Sequence, residues 1–471
     1  MPSKLKNPWL LTASFLYYMY NEPAYSLLLI FSILSTFLGA RLISRDSVSR
    51  AKKRVILAAV IAADAGMLLF FKYSGFLLPL LSQGALKSLA LPVGISFFCF
   101  QTIGYIADVY KGRTPAEKSL LKYSLFVSFF PQLLSGPINR AYELLPQFDR
   151  PHSPDYGRIR HGLFRMLIGY FMKLVIASRL EIAVNFIFDN RAHANGAEML
   201  FAIFLFALQI YCDFASYSNL AIGSAYVMGF KLRENFEQPF FSKSSTELWR
   251  RWHMSLNSFL RDYIYIPLGG SRHGRARKWL NTLIVFTVSG IWHGAGLNFP
   301  IWGFLSGLFV VIEDMVSPKK SPRKPSMQAL ATSKDSAESL SPKRPIYRAI
   351  ITPLRIALTV LLFMLSLIFF KTPDLATAAE VYGIILTKMN PADILRLPIF
   401  SIGLGVKNML ILIFSLSLLF IYDLLDYREG DAAALILSKS AACRWSVYYL
   451  LTIMILFSAN IGAAEFIYFK F

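Results

Sequence analysis

Apolar residues in this chain come in long unbroken runs rather than in the alternating or three-and-four spacing of half-buried elements. Trp9–Tyr20 and Ala24–Ala40 flank a tight Asn21-Glu22-Pro23 turn. Val55–Leu81, Leu91–Tyr110, Leu120–Ser135, Gly162–Phe188, Met199–Phe230, Leu280–His293, Phe299–Ile312, Ile350–Phe370, Met409–Leu425 and Tyr448–Tyr468 follow. A helix needs about 20 apolar residues to cross a bilayer, and only helices or closed barrels satisfy the backbone there. The pattern therefore predicts an all-α polytopic integral membrane protein with about 10–12 transmembrane or re-entrant helices. No internal repeat appears, so 1–471 reads as one domain. Two stretches interrupt the pattern. Residues 317–345 are rich in Ser, Pro, Lys and Arg, and predict a disordered basic cytoplasmic loop. Ser244–Gly270 carries too many charges to span.

Composition sharpens this picture. Of 471 residues 55% are hydrophobic and 16% charged, against roughly 25% charged in soluble proteins. The net charge of +21 raises nucleic acid as a partner. Its distribution argues against that, because the cations crowd into short loops between spans. Arg41, Arg45, Arg50, Lys52, Lys53 and Arg54 share one loop with a single acid, Asp46. That asymmetry places the loop in the cytoplasm. Cys99, Cys212 and Cys443 lie in or beside apolar runs and suggest neither a disulfide framework nor a metal site.

In Ser244–Gly270 the Ser244/Glu247 pair is a helix-starting capping box. Trp249, Trp252, Leu256, Phe259, Leu260 and Tyr263 then fall on one face of a helix, with Arg250, Arg251, Ser258, Arg261 and Asp262 opposite. One amphipathic helix lying in the cytoplasmic interface is the reading, ended by Pro267 and Gly269-Gly270. An interfacial anchor with snorkelling arginines explains most of it. A ligand site is the open alternative: His253 stands at the stripe's edge, one turn before Asn257, and Arg272, Arg275, Arg277 and Lys278 lie beside a Gly-Gly turn suited to phosphate oxygens.

Two ionisable residues inside apolar runs stand out. His293 is the single ionisable group of Leu280–Trp302, in Ser289-Gly290-Ile291-Trp292-His293-Gly294-Ala295. Intramembrane ionisable groups mark function by default, and Gly290 and Gly294 let a helix or a substrate chain approach the ring. Asp213 is the only charge of Met199–Phe230, on a polar stripe with Gln209, Ser216 and Tyr217. It either ties a structural network together or lines a polar tunnel. The signatures of soluble hydrolases, P-loop and dinucleotide-binding enzymes and zinc proteases are absent from the sequence.

Several of these segments together resemble the membrane-bound O-acyltransferase superfamily, on its bacterial alginate O-acetylation branch. The matching stretches are Phe97–Gly112 (FFCFQTIGYIADVYKG), Ser128–Arg140 (SFFPQLLSGPINR), Leu248–Ser255 (LWRRWHMS), Arg261–Arg272 (RDYIYIPLGGSR), Ser289–Ala295 (SGIWHGA) and Glu465–Phe471 (EFIYFKF). The resemblance implies a ring of helices around a thinned centre pierced by a tunnel. It implies that His293 is catalytic and that His253 is the family's second histidine, nearer the cytoplasm. It implies no metal or cofactor, a cytoplasmic acyl-CoA donor (acetyl-CoA above all), and a location in the cytoplasmic membrane. A polysaccharide acceptor and a partner protein outside the membrane that finishes the transfer complete the expectation. On this reading Asn257, Asp213, Arg250, Arg251, Arg272, Lys278 and Trp292 bind or position substrate. The chain departs from the family in carrying Asn219 and Ser306 where relatives usually have Asp and His, and it starts abruptly at Met1, with Lys4 soon after, where the family usually begins with one more hydrophobic helix. The rival reading is a transporter or flippase using Asp213 and His293 as a proton relay, without acyl chemistry.

Overall fold

The structure, a computed structural model, describes residues 3–81, 91–316 and 345–459. Among the described residues every regular element is a helix. Seven are long and apolar enough to cross a membrane: Ser26–Ile43, Arg50–Ser74, Gly196–Val227, Asn298–Val316, Ile350–Lys371, Gly405–Glu429 and Ala441–Ser458. Four further rods accompany them. These are Ser3–Asn21, Ile95–Tyr110, Gly274–His293, and the unbroken run of Tyr156–Phe171, Met172–Ala177 and Ser178–Asp189, whose middle turn is π-helical. Large apolar side chains such as Leu27, Leu38, Leu354, Leu410 and Leu456 point outward, as lipid-facing surfaces require. The protein is an all-α polytopic membrane protein.

The apolar run Leu120–Ser135 does not cross. Its helix stops at Ser128, Phe129 turns extended (φ −52°, ψ 109°), and Phe130–Leu133 forms a single turn. Pro131 supplies no N–H for a continuing ladder, so the chain re-enters instead of spanning. The helix Leu375–Thr387 escaped the sequence reading because thirteen residues are too few for a span. Pro345 opens the helix Pro345–Lys371, while the rest of the basic stretch and the Glu465–Phe471 motif lie outside the described residues.

The buried side chains form two apolar clusters. One is built by the helices from Tyr156 onward and includes Trp252, Trp302 and Phe363. The other is built by the helices up to Phe148 and includes Leu256, Phe259 and Trp292. The Gly196–Val227 helix contributes to both. Small residues draw the helices together at the crossings. A Cβ on Gly303 would stand 2.2 Å from the Phe286 carbonyl oxygen, and one on Gly290 would stand 2.2 Å from that of Phe299. Gly290 thus serves the packing of its own helix against Asn298–Val316, one of the two approaches the sequence had suggested.

Candidate active site

The segment expected to be one interfacial helix is two helices broken at His253, and this is the largest correction to the sequence reading. Ser244 does cap the start, accepting from the Glu247 N–H at 3.1 Å. Glu247 returns its carboxylate to the Lys243 N–H rather than to Ser244. Ser245–Arg251 then ends, Trp252 becomes extended, and His253 adopts the left-handed region at φ 44°, ψ 52° before Met254–Leu260 resumes. Left-handed backbone at a non-glycine residue costs energy and persists only where surroundings impose it. Here they do. The Asn257 amide donates to the carbonyls of Trp249 (2.5 Å) and Trp252 (2.6 Å), which the break leaves without helical partners. Periodicity placed the stripe on a membrane surface. In fact Trp252, Leu256, Phe259 and Leu260 are buried in protein.

The break turns His253 inward, where 2% of it is exposed. Asn235, fully buried and absent from the sequence reading, organises the turn. Its carbonyl accepts from the Met254 N–H at 2.9 Å. Its side-chain oxygen accepts from the Ser255 hydroxyl at 2.6 Å and faces His253 Nδ1 at 3.3 Å, while its amide donates to Ser218 at 3.1 Å. With the amide thus oriented, the imidazole carries its proton on Nδ1. Ser255 in turn accepts from the Ile138 N–H at 3.0 Å. The stretches Ser128–Arg140 and Leu248–Ser255 therefore meet. A neighbouring knot joins two more: Arg140 pairs with Asp262 at 3.1 Å under the Tyr263 ring, and Tyr263 donates to Asp108 at 2.7 Å.

His293 ends the helix Gly274–His293 and is 5% exposed. Its ring lies 4.6 Å from that of Trp292, 4.9 Å from Trp302 and 5.3 Å from Phe370. Trp292 belongs to one apolar cluster and Trp302 to the other, so the imidazole sits on the seam between them. His253 lies on the same seam, 6.0 Å from the Trp292 ring. One tryptophan separates the two histidines. Trp292 also stacks on Phe100, and the Lys72 ammonium lies 5.5 Å over its face. The next residue, Tyr73, donates to the Ile291 carbonyl at 2.7 Å and reaches that of Gly294 at 3.3 Å, clamping the Arg50–Leu81 helix onto the His293 loop.

Two cavities flank the broken helix, with Met254 in the wall of each. The larger, about 790 Å³, is lined by Trp249, Arg250, Asn257, Arg261, Lys278 and Asp314 among others. It adjoins the face bearing the basic Arg41–Arg54 loop. Arg54 reaches Tyr110, and Lys111 reaches the carbonyl of Asp262, the neighbour of Arg261. A chain of rings leads inward from it: Trp249 lies 5.9 Å from Trp302, which touches His293. The smaller cavity, about 450 Å³, is lined by His161, Arg165, Glu234, Glu237, Arg251, Asp426 and Asp431. Of the predicted cations, Arg250 and Lys278 share the larger cavity. Arg251 faces the smaller one and pairs with Glu247 at 3.0 Å, and Arg272 stands exposed beyond both. Lys278 is matched by Asp314 at 2.5 Å.

Asp213 is tied to Lys173 of the π-helical turn at 2.5 Å, a partner the sequence reading missed. A salt bridge fits the network alternative for this carboxylate. Among the described residues no group of three or more His, Cys, Asp or Glu is placed to hold a metal.

Comparison with known proteins bears on this geometry. A model of the membrane-bound O-acyltransferase family matches residues 114–322, which contain both histidines and the larger cavity. The chain is 32% identical over 447 residues to a probable alginate O-acetylase of Pseudomonas syringae pv. tomato, covering 91% of this chain and 79% of that one. It is 35% identical over 339 residues to a peptidoglycan O-acetyltransferase of Helicobacter pylori, covering 64% of each. A teichoic acid D-alanyltransferase of Bacillus subtilis is 27% identical over 222 residues, 45% of this chain and 56% of that one.

Proposed function

Because the chain belongs to the membrane-bound O-acyltransferase family, on its alginate O-acetylation branch, we propose that it passes an acetyl group from a cytoplasmic coenzyme A thioester through the cytoplasmic membrane to O-acylate a cell-surface or exported polysaccharide. The observation that carries this reading is the position of His293, joined through Trp302 and Trp249 to a cavity holding Arg250, Arg261 and Lys278. Guanidinium and ammonium groups match the phosphates of such a donor. The names of the relatives support a glycan acceptor.

In the transfer, the acceptor hydroxyl gives its proton to His293 as its oxygen attacks the thioester carbonyl. The carbon–sulfur bond then breaks and the proton passes from His293 to the departing thiolate, leaving an ester and a free thiol. General-base help of this kind is worth roughly 10²–10⁴ in rate. His253, held by Asn235, and Asn257 position the thioester between the cavity and His293. Arg272 guides the donor from outside the cavity. Trp292 and the other rings around His293 keep water from competing with the acceptor. A partner protein outside the membrane receives the acetyl group and finishes the transfer to the polymer.

The test is His293→Ala in a deletion strain, with membrane levels of the protein matched to wild type. Base-releasable acetate on surface glycans falls to the level of the deletion. Full retention of acetate removes His293 from the reaction.

A further inference from the structure

Lysine is rare within membrane spans, and one that faces the bundle marks a working site more often than not. Lys72 lies in the span Arg50–Ser74 and is only partly exposed. Its neighbour Tyr73 fixes this turn of helix to the carbonyls of Ile291 and Gly294, on either side of the Trp292-His293 pair. Its ammonium is directed at the Trp292 face, 5.5 Å from the ring centre. A ring face in that position attracts and orients a cation. A snorkelling lysine extends its amine toward headgroups. This one folds over an aromatic ring that also touches His293, and the two distances place the ammonium within about 10 Å of the imidazole. That bound exceeds the span of a hydroxyl oxygen, a carbonyl carbon and its oxygen with a hydrogen bond of about 2.8 Å at each end.

We infer that Lys72 is a catalytic residue of the acyl transfer, the cation that stabilises the oxyanion formed when the acceptor oxygen attacks the thioester carbonyl at His293. This deepens the acyltransferase reading and rests on it. As the proton moves to His293 and the new carbon–oxygen bond forms, the carbonyl π pair moves onto its oxygen. The Lys72 ammonium donates a hydrogen bond to that anion. When the pair returns, the carbon–sulfur bond breaks and the thiolate takes the proton from His293. No further reactant enters. A fixed positive group aimed at charge that exists only in the transition state raises turnover rather than binding.

The experiment uses membrane vesicles of a deletion strain carrying the full chain, fed radiolabelled acetyl-CoA, with label in base-releasable ester as the readout. Lys72→Gln lowers kcat by about 10²–10³ while KM for acetyl-CoA stays within about threefold. Lys72→Arg, which keeps the charge, retains more activity than Lys72→Gln. Lys72→Cys is as slow as Lys72→Gln and regains rate when 2-bromoethylamine rebuilds an ammonium there. A role in packing alone would give no such rescue, and its absence in vesicles holding wild-type amounts of protein overturns the proposal. So does a Lys72→Gln protein with wild-type kcat, or one altered only in KM, while His293→Ala is inert. Wild-type vesicles that transfer nothing from acetyl-CoA overturn the acyltransferase reading itself, and Lys72 with it.

Discussion

The two cavities on either side of the broken helix are near neighbours of opposite sign. The larger holds Arg250, Arg261 and Lys278 against one acid, Asp314. The smaller holds Glu234, Glu237, Asp426 and Asp431 against Arg165 and Arg251. In the acidic cavity the charges are largely engaged with one another: Arg165 forks onto Glu234 at 2.6 Å through both nitrogens, Asp431 faces His161 at 3.3 Å, and Asp426 accepts from Gln238. That cavity fastens the Gly405–Glu429 helix to the core. In the basic cavity Lys278 alone is matched by an acid of the lining, Asp314. The difference teaches that overall charge, +21 for the chain, says little about where an anion binds. Met254, which lines both, stands between a lining rich in cations and one rich in carboxylates.

The comparison can be broken by experiment. Reversing the basic cavity with Arg250→Glu and Lys278→Glu raises KM for acetyl-CoA by about a hundredfold, since each charged hydrogen bond is worth roughly 1.5–3 kcal/mol. Steady-state kinetics in membrane vesicles check this, and an unchanged KM removes the donor from that cavity. Asn257→Ala removes the amide that holds the helix break between the cavities. It leaves two buried carbonyls bare and costs about 2–4 kcal/mol of stability, read as a lowered melting temperature in detergent. Raising salt from about 0.05 to 0.5 M increases KM severalfold in wild type through screening, and less in the double variant. Asp314→Asn releases Lys278 and lowers KM about twofold, a shift small because the pair is partly exposed. Asp431→Asn, in the acidic cavity, leaves KM within experimental error. If it matched the effect of the double reversal, the division of labour between the cavities would be wrong.

Many residues of the candidate site stood out in the chain, though not their assembly. His293 announced itself as the single ionisable group in an apolar run, and the structure places it among aromatic rings as that setting demands. Arg250 and Arg251 looked equivalent in sequence. Adjacent helical positions differ by about 100°, and with a cavity on each side that rotation sends one arginine to each. The helical stripe through Trp249 and Tyr263 was correctly apolar but wrongly continuous, because periodicity detects which residues want burial and is blind to a turn imposed from elsewhere. Asn235, Lys72 and Lys173 gave no local signal of their partners. A lone polar residue in or beside an apolar run reads alike whether it snorkels, pairs or reaches a site.

From the sequence alone came most of what the solvent decides: the all-helical membrane architecture, most of the rods, and the histidine that burial makes conspicuous. Those follow from hydrocarbon's demand that each segment satisfy its own backbone, a condition met within a few residues. Tertiary structure decided what contacts at a distance decide. His253 turns inward because Asn235, 18 positions away, receives it. Asp213 is neutralised by Lys173, 40 positions away, and the His293 loop is held by Tyr73, 221 positions before Gly294. Such pairings cost nothing in hydropathy and leave no period in the chain, so only the packed helices reveal them.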